Sequence, residues 1–239
     1  SIFAVLNDHA VTHVLHAAGL RTTDCKNSPA RAVEVNVTGT TNVLEAIRLY
    51  GKIQRFVFTS TAAVYKVPDD GSFVDEQATT IPLNPYTATK LAAEQLIECY
   101  ALHYQIPATI LRPQIIYGPT RGSDGSTAGI SQAIKTAQEG KHFTIPFGGR
   151  TGFHYSQDVG QQHALALLES PKHFACYNLP AESLSIAEIC SAINTHHGNL
   201  LVDHIDSHYP FAHGLDSNAF LQAFPKTQCT SFTDTLKHQ

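Results

Sequence analysis

Short apolar runs rich in β-branched and aromatic residues alternate in this chain with much longer stretches of helical periodicity. Residues 11–18 (VTHVLHAA), 55–60 (RFVFTS) and 108–111 (ATIL) are the runs. Between them lie residues 32–50, where Val35, Val43, Leu44 and Ile47 recur near helical spacing and Gly51 offers a stop. The second stretch is Pro85–Tyr104, with proline near its first turn and Leu91, Leu96 and Ile97 among its apolar positions. Strands joined by helices of this length are parallel, because the chain must cross back over the sheet before the next strand begins. The pattern predicts β, α, β, α, β. Past Tyr117 come a glycine-rich stretch (GPTRGSDGSTAG), a helix near residues 130–139, short strand-like pieces, and helices near 159–168 and 185–194. These predict a smaller lobe covering the sheet.

Composition narrows the partner class. With 239 residues, 43% apolar and 15% charged, the chain can bury a sizeable core. A net charge of -4 provides no basic field for nucleic acid or an anionic membrane, so a small-molecule substrate is the expected partner. No apolar run approaches the roughly 18 residues of a membrane span. The five cysteines are far apart, odd in number and without a C-x-x-C pair, which argues against a disulfide framework and for a reducing, cytoplasmic setting. The chain starts at Ser1 and contains no methionine, and we expect it to be a fragment.

The chemistry-bearing group is Thr61, Tyr86 and Lys90. Of nine tyrosines only Tyr86 has a lysine four residues on, and helical spacing stacks those side chains on one face. Taken alone, the pair also reads as an ordinary surface contact. Its surroundings carry more: FVFTSTAAVY at 56–65 and PLNPYTATKLAAEQ at 82–95, with HAAG at 16–19, NVTGTTNVLEA at 36–46 and LRPQIIYGP at 111–119 in order. This series resembles the extended short-chain dehydrogenases/reductases, the NAD-dependent epimerase/dehydratase group, over nearly the whole chain.

The resemblance implies a partial Rossmann-like, doubly wound parallel sheet over residues 1–117, lacking its first half. A smaller α/β lobe over 118–239 would be mainly substrate-binding, with room for a strand returning to the sheet. It implies that Thr61 donates a hydrogen bond to the substrate oxygen and that Tyr86 exchanges a proton while hydride passes to or from nicotinamide. A free phenol titrates near 10, so the family's chemistry needs a cation to stabilise the phenolate; Lys90 and the oxidised nicotinamide are the expected sources. Cofactor contacts are expected at Ala17, Ala18, Gly19, Asn36, Thr59, Tyr86, Lys90 and Pro113. Small residues at 17–19 would let a nucleotide approach backbone, although turn formation alone explains them equally well. Asn36 would anchor the active-site strands through backbone hydrogen bonds, or simply open a helix.

The cofactor implied is NAD, with NADP left open because the residue that would read the adenine ribose is not in the sequence. No glycine-rich turn precedes Val11, and about 60 further upstream residues would accommodate one. On that expectation, these residues alone would not sustain catalysis. Gly122, Gly125 and Gly129 imitate a phosphate-binding turn but follow the catalytic helix, so a loop entering the second lobe is the better reading. His196, His197, His204, His208 and His213 form no metal-ligand pattern, and no metal is expected.

Substrate contacts are expected at Thr61, Ala62, Ile115 and Arg150. Ala62 and Ala63 stand where the group's dehydratases carry Asp-Glu, which argues against dehydration. Ile115 and Thr151 replace the asparagine and arginine of nucleotide-sugar epimerases, with Arg150 adjacent and able to substitute; Lys66 stands where glycine usually follows VY. The first reading is transient hydride transfer on a sugar or nucleotide sugar, with Tyr86 as acid/base. The alternatives are net oxidation or reduction of a non-nucleotide alcohol or ketone, and a non-catalytic NAD-binding module. A homodimer through the helices at 32–50 and Pro85–Tyr104 is expected from the resemblance alone.

Overall fold

Strand β1 (His13–His16) is followed by four helical pieces, the last three of which meet over the stretch where the sequence suggests one helix. A short helix, α1 (Ile2–Asp8), precedes it, and α2 (Thr22–Asn27), α3 (Pro29–Ala32), a π-helical segment at Val33–Thr38 and α4 (Gly39–Tyr50) come after. Then follow β2 (Arg55–Thr59), a single 3-10 turn at Ala62–Val64, α5 (Pro85–Tyr104), β3 (Ala108–Arg112) and β4 (Ile115–Tyr117). The remainder is α6 (Gly129–Gln138), β5 (Phe143–Ile145), β6 (Arg150–Tyr155), α7 (Ser156–Glu169), β7 (Phe174–Asn178), β8 (Glu182–Ser185), α8 (Ile186–His197), β9 (Val202–His204), α9 (Asn218–Ala223) and α10 (Phe232–Leu236). This computed structural model describes residues 1–122, 125, 127–198, 200–207 and 211–237.

The main sheet is parallel throughout, in the order β1-β2-β3-β7. Its central strands are buried on both faces, which is why they read as unbroken apolar runs rather than as alternating ones. The alternation is present nonetheless. Phe56 and Phe58 point toward α4 and α5, packing with Leu44, Ile47, Ala93 and Ile97, whereas Val57 joins Val159 and Ala166 of α7 on the opposite face. Each fully buried phenylalanine contributes about 1.5–3 kcal/mol relative to exposure. Helices on both faces of a parallel sheet are the Rossmann-like, doubly wound arrangement.

Local chemistry accounts for the ends of the helices beside the site. Asn84 caps α5, its Oδ1 accepting from the Thr87 amide at 3.0 Å while Thr87 Oγ1 accepts from the Asn84 amide at 3.2 Å, and Pro85 takes the first helical position. Gly51 ends α4 in the left-handed region at φ 69°.

The chain leaves the main sheet after Arg112. Strand β4 pairs with β6, and β6 pairs antiparallel with β8, around a second core built from Ile115, Tyr117, Ile130, Phe153, Ile186 and Ile189 among others. Helix α7 and strand β7 then return to the main sheet, β7 lying parallel beside β3. Among the described residues no helix is long and apolar enough to cross a membrane.

Candidate active site

Tyr86 lies in the first turn of α5 and Lys90 one turn later, and both face the carboxyl end of β2. Thr61, two residues beyond that strand, caps the 3-10 turn by accepting from the Ala63 amide at 3.2 Å. The turn is tied to β3, because the Ala62 amide donates to the Pro113 carbonyl at 2.8 Å. Thr59, Ser60, Thr61, Tyr86 and Pro113 therefore line one cavity of about 380 Å³.

The electrostatics of the pair oppose one another. Burial pushes the Tyr86 phenol up to about 12, with a hydrogen bond to Thr61 pulling the other way. Burial also brings the Lys90 ammonium down to about 8, against the nearby Glu94 carboxylate. Lys90 Nζ donates to the Thr59 carbonyl at 2.6 Å and lies 4.2 Å from the centre of the Phe58 ring. At neutral pH the phenol is protonated and the buried lysine, one helical turn on, carries its charge.

Asn36 is a brace. Its Oδ1 accepts from the Leu20 amide at 2.7 Å, while its Nδ2 donates to the Leu20 carbonyl at 3.1 Å and to Thr89 Oγ1 at 3.0 Å. One buried carboxamide therefore joins the loop after β1 to the turn of α5 that carries Lys90. A Cβ on Gly19 would stand 3.0 Å from Asn36 Oδ1, so this carboxamide is itself a reason for the small residue. Ala17, Ala18 and Gly19 are exposed at the end of β1 and do not line the cavity.

The proposed substrate contacts divide. Thr61 lines the cavity, whereas Ala62 packs with Tyr65 and Val74, and it is Ala63 that faces the opening. Ile115 is buried in the second core, and its neighbours Gln114 and Ile116 line the cavity instead. Arg150 lies on the second lobe, its Nη2 2.7 Å from Glu188 Oε2 and its Nη1 donating to the Ser183 carbonyl at 2.9 Å, and it is not a lining residue. Thr151 is likewise committed, hydrogen-bonded to Gln114 and the Ala212 carbonyl.

Arg21 and Arg121 also line the cavity and were not singled out by their spacing. Burial and the charge of Arg21 both lower the Arg121 guanidinium, whose Nη2 donates to Thr127 Oγ1 at 2.8 Å. Arg121, Gly125 and Thr127 bring the glycine-rich stretch to the cavity wall, while Ser123, Asp124 and Ser126 lie outside the described residues. Gly129 serves packing, since a Cβ there would meet Pro146, Phe147 and Ile145 at 3.1–3.3 Å. In the histidine-rich tail, His196 and His197 pack edge to face and His208 lies outside the described residues. Among the described residues no three His, Cys, Asp or Glu side chains are placed to hold a metal ion.

A parallel α/β sheet with a strand-end threonine, and with a tyrosine and lysine one turn apart on the next helix, belongs to the Rossmann class of folds. Within that class, the sequence model of the NAD dependent epimerase/dehydratase family matches residues 1–179, and the chain belongs to that family. It is 31% identical over 171 residues to the trifunctional UDP-glucose 4,6-dehydratase/UDP-4-keto-6-deoxy-D-glucose 3,5-epimerase/UDP-4-keto-L-rhamnose-reductase of Arabidopsis thaliana, matching 70% of this chain and 24% of that protein. It is 32% identical over 164 residues to the UDP-glucuronate 4-epimerase of Thermodesulfobacterium geofontis, matching 67% of this chain and 48% of that one. The chain thus spans from about a quarter to about half the length of these relatives. Among solved structures it resembles the UDP-glucuronic acid 4-epimerase of Bacillus cereus in complex with NAD, at a TM-score of 0.81 and 26% identity, covering 99% of this chain and 75% of that one. The fold also matches the Thermus thermophilus UDP-glucose 4-epimerase complex with NAD, at a TM-score of 0.85 and 24% identity, covering 99% and 78%.

Proposed function

We propose that the protein carrying this chain is an NAD-dependent enzyme that alters a hydroxyl-bearing carbon of a nucleotide sugar by transient oxidation, with Tyr86 as acid/base. The observation that carries this reading is the meeting of Thr61 and Tyr86 at one cavity, the Tyr86 phenol hydrogen-bonded to Thr61, with Lys90 one helical turn on and bonded to the carbonyl of Thr59, which lines the same cavity. The relatives named above, which act on UDP-sugars by their names, support the substrate class.

The site has features that suit a nicotinamide and its ribose. Ser60 Oγ is buried beside the cavity with no hydrogen-bond partner among the described residues, and Lys90, an ammonium with three donors, spends one on Thr59. Thr59, Ser60, Lys90 and Pro113 are the residues that would hold that end of NAD. The nicotinamide, when bound, supplies the hydride acceptor and donor.

The chain's own part is proton handling. Tyr86 at about 12 is protonated at neutral pH and can return a proton to the substrate oxygen, which leaves a phenolate. Accepting that proton needs positive charge beside the phenolate, which Lys90 and the oxidised nicotinamide would provide. Thr61 would orient the reacting hydroxyl through a hydrogen bond. The compartment proposed is the cytoplasm, in keeping with five free cysteines, and the assembly a homodimer through α4 and α5, whose Leu49, Leu102 and Tyr104 are exposed.

One arrangement favours a second reading, net oxidation or reduction of a less polar alcohol. Leu83, Ile116 and Phe211 give the cavity apolar walls, and Arg150 is committed to Glu188. Incubation with NAD and a panel of UDP-sugars separates the two. Conversion of one sugar to its epimer without accumulation of reduced cofactor is the expected result. Stoichiometric NADH formation, or no UDP-sugar turned over, would refute the first reading.

A further inference from the structure

We infer that His163, on the face of the sheet opposite the catalytic helix, is a positioning residue for Lys90 and acts through Thr59. The inference rests on the role given to Lys90 above. His163 lies on α7 and is 5% exposed. Its Nδ1 is 2.7 Å from the Val159 carbonyl, and a carbonyl can only accept, which assigns the ring proton to Nδ1. Nε2 is then a lone-pair acceptor. It stands 2.8 Å from Thr59 Oγ1, so the threonine hydroxyl donates to it.

Thr59 serves two helices on two faces at once. By strand alternation its side chain shares the face of Val57, which packs against α7, while its carbonyl accepts from Lys90 Nζ at 2.6 Å on the side of α5. The pairing of β1 with β2 runs out at His16 opposite Phe58, so the register places no β1 residue opposite Thr59. On the other edge, the Ser60 amide is held by the Leu111 carbonyl at 2.8 Å. The tether from His163 is therefore what fixes the strand end from the α7 side, and the carbonyl that holds Lys90 is part of that end. A buried imidazole must keep its polar atoms satisfied, and an apolar side chain would fill the space without that requirement. Positioning gives the imidazole a use that packing does not.

The test follows the Lys90 ammonium itself. In protein labelled with 13C-lysine, the Lys90 13Cε signal is assigned by its loss in Lys90→Met and titrated with pH. Thr59→Val removes the hydroxyl while keeping shape and carbonyl, His163→Phe removes the acceptor while keeping a ring, and Thr59→Ser restores the donor. Thr59→Val and His163→Phe are expected to move the Lys90 midpoint upward by half a pH unit or more, as a loosened ammonium gains water, and to weaken NAD binding severalfold. Thr59→Ser is expected to hold the parent midpoint. An unchanged Lys90 titration in Thr59→Val with a native circular dichroism spectrum would overturn the inference, as would a serine variant that behaves like valine. A shifted midpoint together with turnover indifferent to Lys90→Met would uphold the linkage and refute the function proposed for Lys90 instead.

Discussion

Lys90 is held charged where charge is expensive, and removing it is expected to stabilise the protein. Its ammonium is brought from an ordinary 10.5 to about 8, chiefly by burial, and the residue is 6% exposed. At about 1.4 kcal/mol per tenfold change in proton affinity, that displacement is worth about 3 kcal/mol. Below pH 8 the lysine is protonated in both folded and unfolded chains, and the whole penalty applies. Between about 8 and 10.5 the folded state has released the proton while the unfolded chain still binds it, so stability rises with pH; above 10.5 the penalty has gone. Lys90→Met escapes the penalty at neutral pH but leaves the Thr59 carbonyl without its donor, a cost of about 1 kcal/mol. The expected net gain is about 1–2 kcal/mol at pH 7, shrinking to nothing or reversing by pH 10.5. Urea denaturation followed by circular dichroism at pH 7, 8, 9 and 10 measures it. The difference between variant and parent is the quantity to plot, because Tyr65, Tyr86 and Tyr117 are all raised by burial and lower the stability of both proteins above about pH 10. A variant less stable than its parent at pH 7, or a gap that does not change with pH, would refute the reasoning.

Tyr86→Phe is expected to lower turnover by about two to four orders of magnitude with the fold intact, because the ring still packs and only the proton-transfer group is lost; steady-state rates beside a circular dichroism spectrum check it. Glu94→Gln strands the buried Arg112 guanidinium, which now makes two hydrogen bonds to that carboxylate, and should cost about 3–5 kcal/mol in denaturant titration. Gly152→Ala would place a methyl group 1.9 Å from Gln114 Oε1 and 3.0 Å from Ala181 Cβ, and a loss of about 1–3 kcal/mol is expected by the same assay. Arg150→Ala should leave UDP-sugar affinity unchanged in calorimetry, since its charge is spent on Glu188; loss of binding would return it to the site.

Features that depend on local spacing were readable from the chain alone. The strands at 55–60 and 108–111, the helix at Pro85–Tyr104 and the stacking of Tyr86 over Lys90 all follow from periodicity and capping residues that stand next to one another. What escaped was set by distant partners. Nothing in VEVNVT signals π-helical pairing, since no glycine or proline interrupts the run. That geometry accompanies the contacts of Asn36 with Leu20 and Thr89, 16 and 53 residues away in sequence. Ile115 stands at a motif position that suggests ligand contact, yet the second core buries it, and strand alternation shows why Gln114 and Ile116 face the other way. The positions of Arg21 and Arg121 were equally hidden, because an arginine ahead of two threonines, or ahead of a glycine, reads as a loop residue until the fold closes over it. His163 falls inside the helix expected at 159–168, and nothing next to it in sequence marks its partner Thr59, 104 residues away.

The π-helical turn at Val33–Thr38 also makes this region unusually sensitive to length. An α-helix advances about 100° per residue, so trimming one residue upstream of Asn36 and letting regular hydrogen bonding resume would swing the carboxamide away by roughly that angle. Such a deletion would relieve an irregular helix and at the same time release the loop after β1 from α5. Most substitutions along the outer face of these helices should be absorbed by the surface. A single-codon deletion there is instead expected to separate the two halves of the site, leaving a better helix and a worse catalyst.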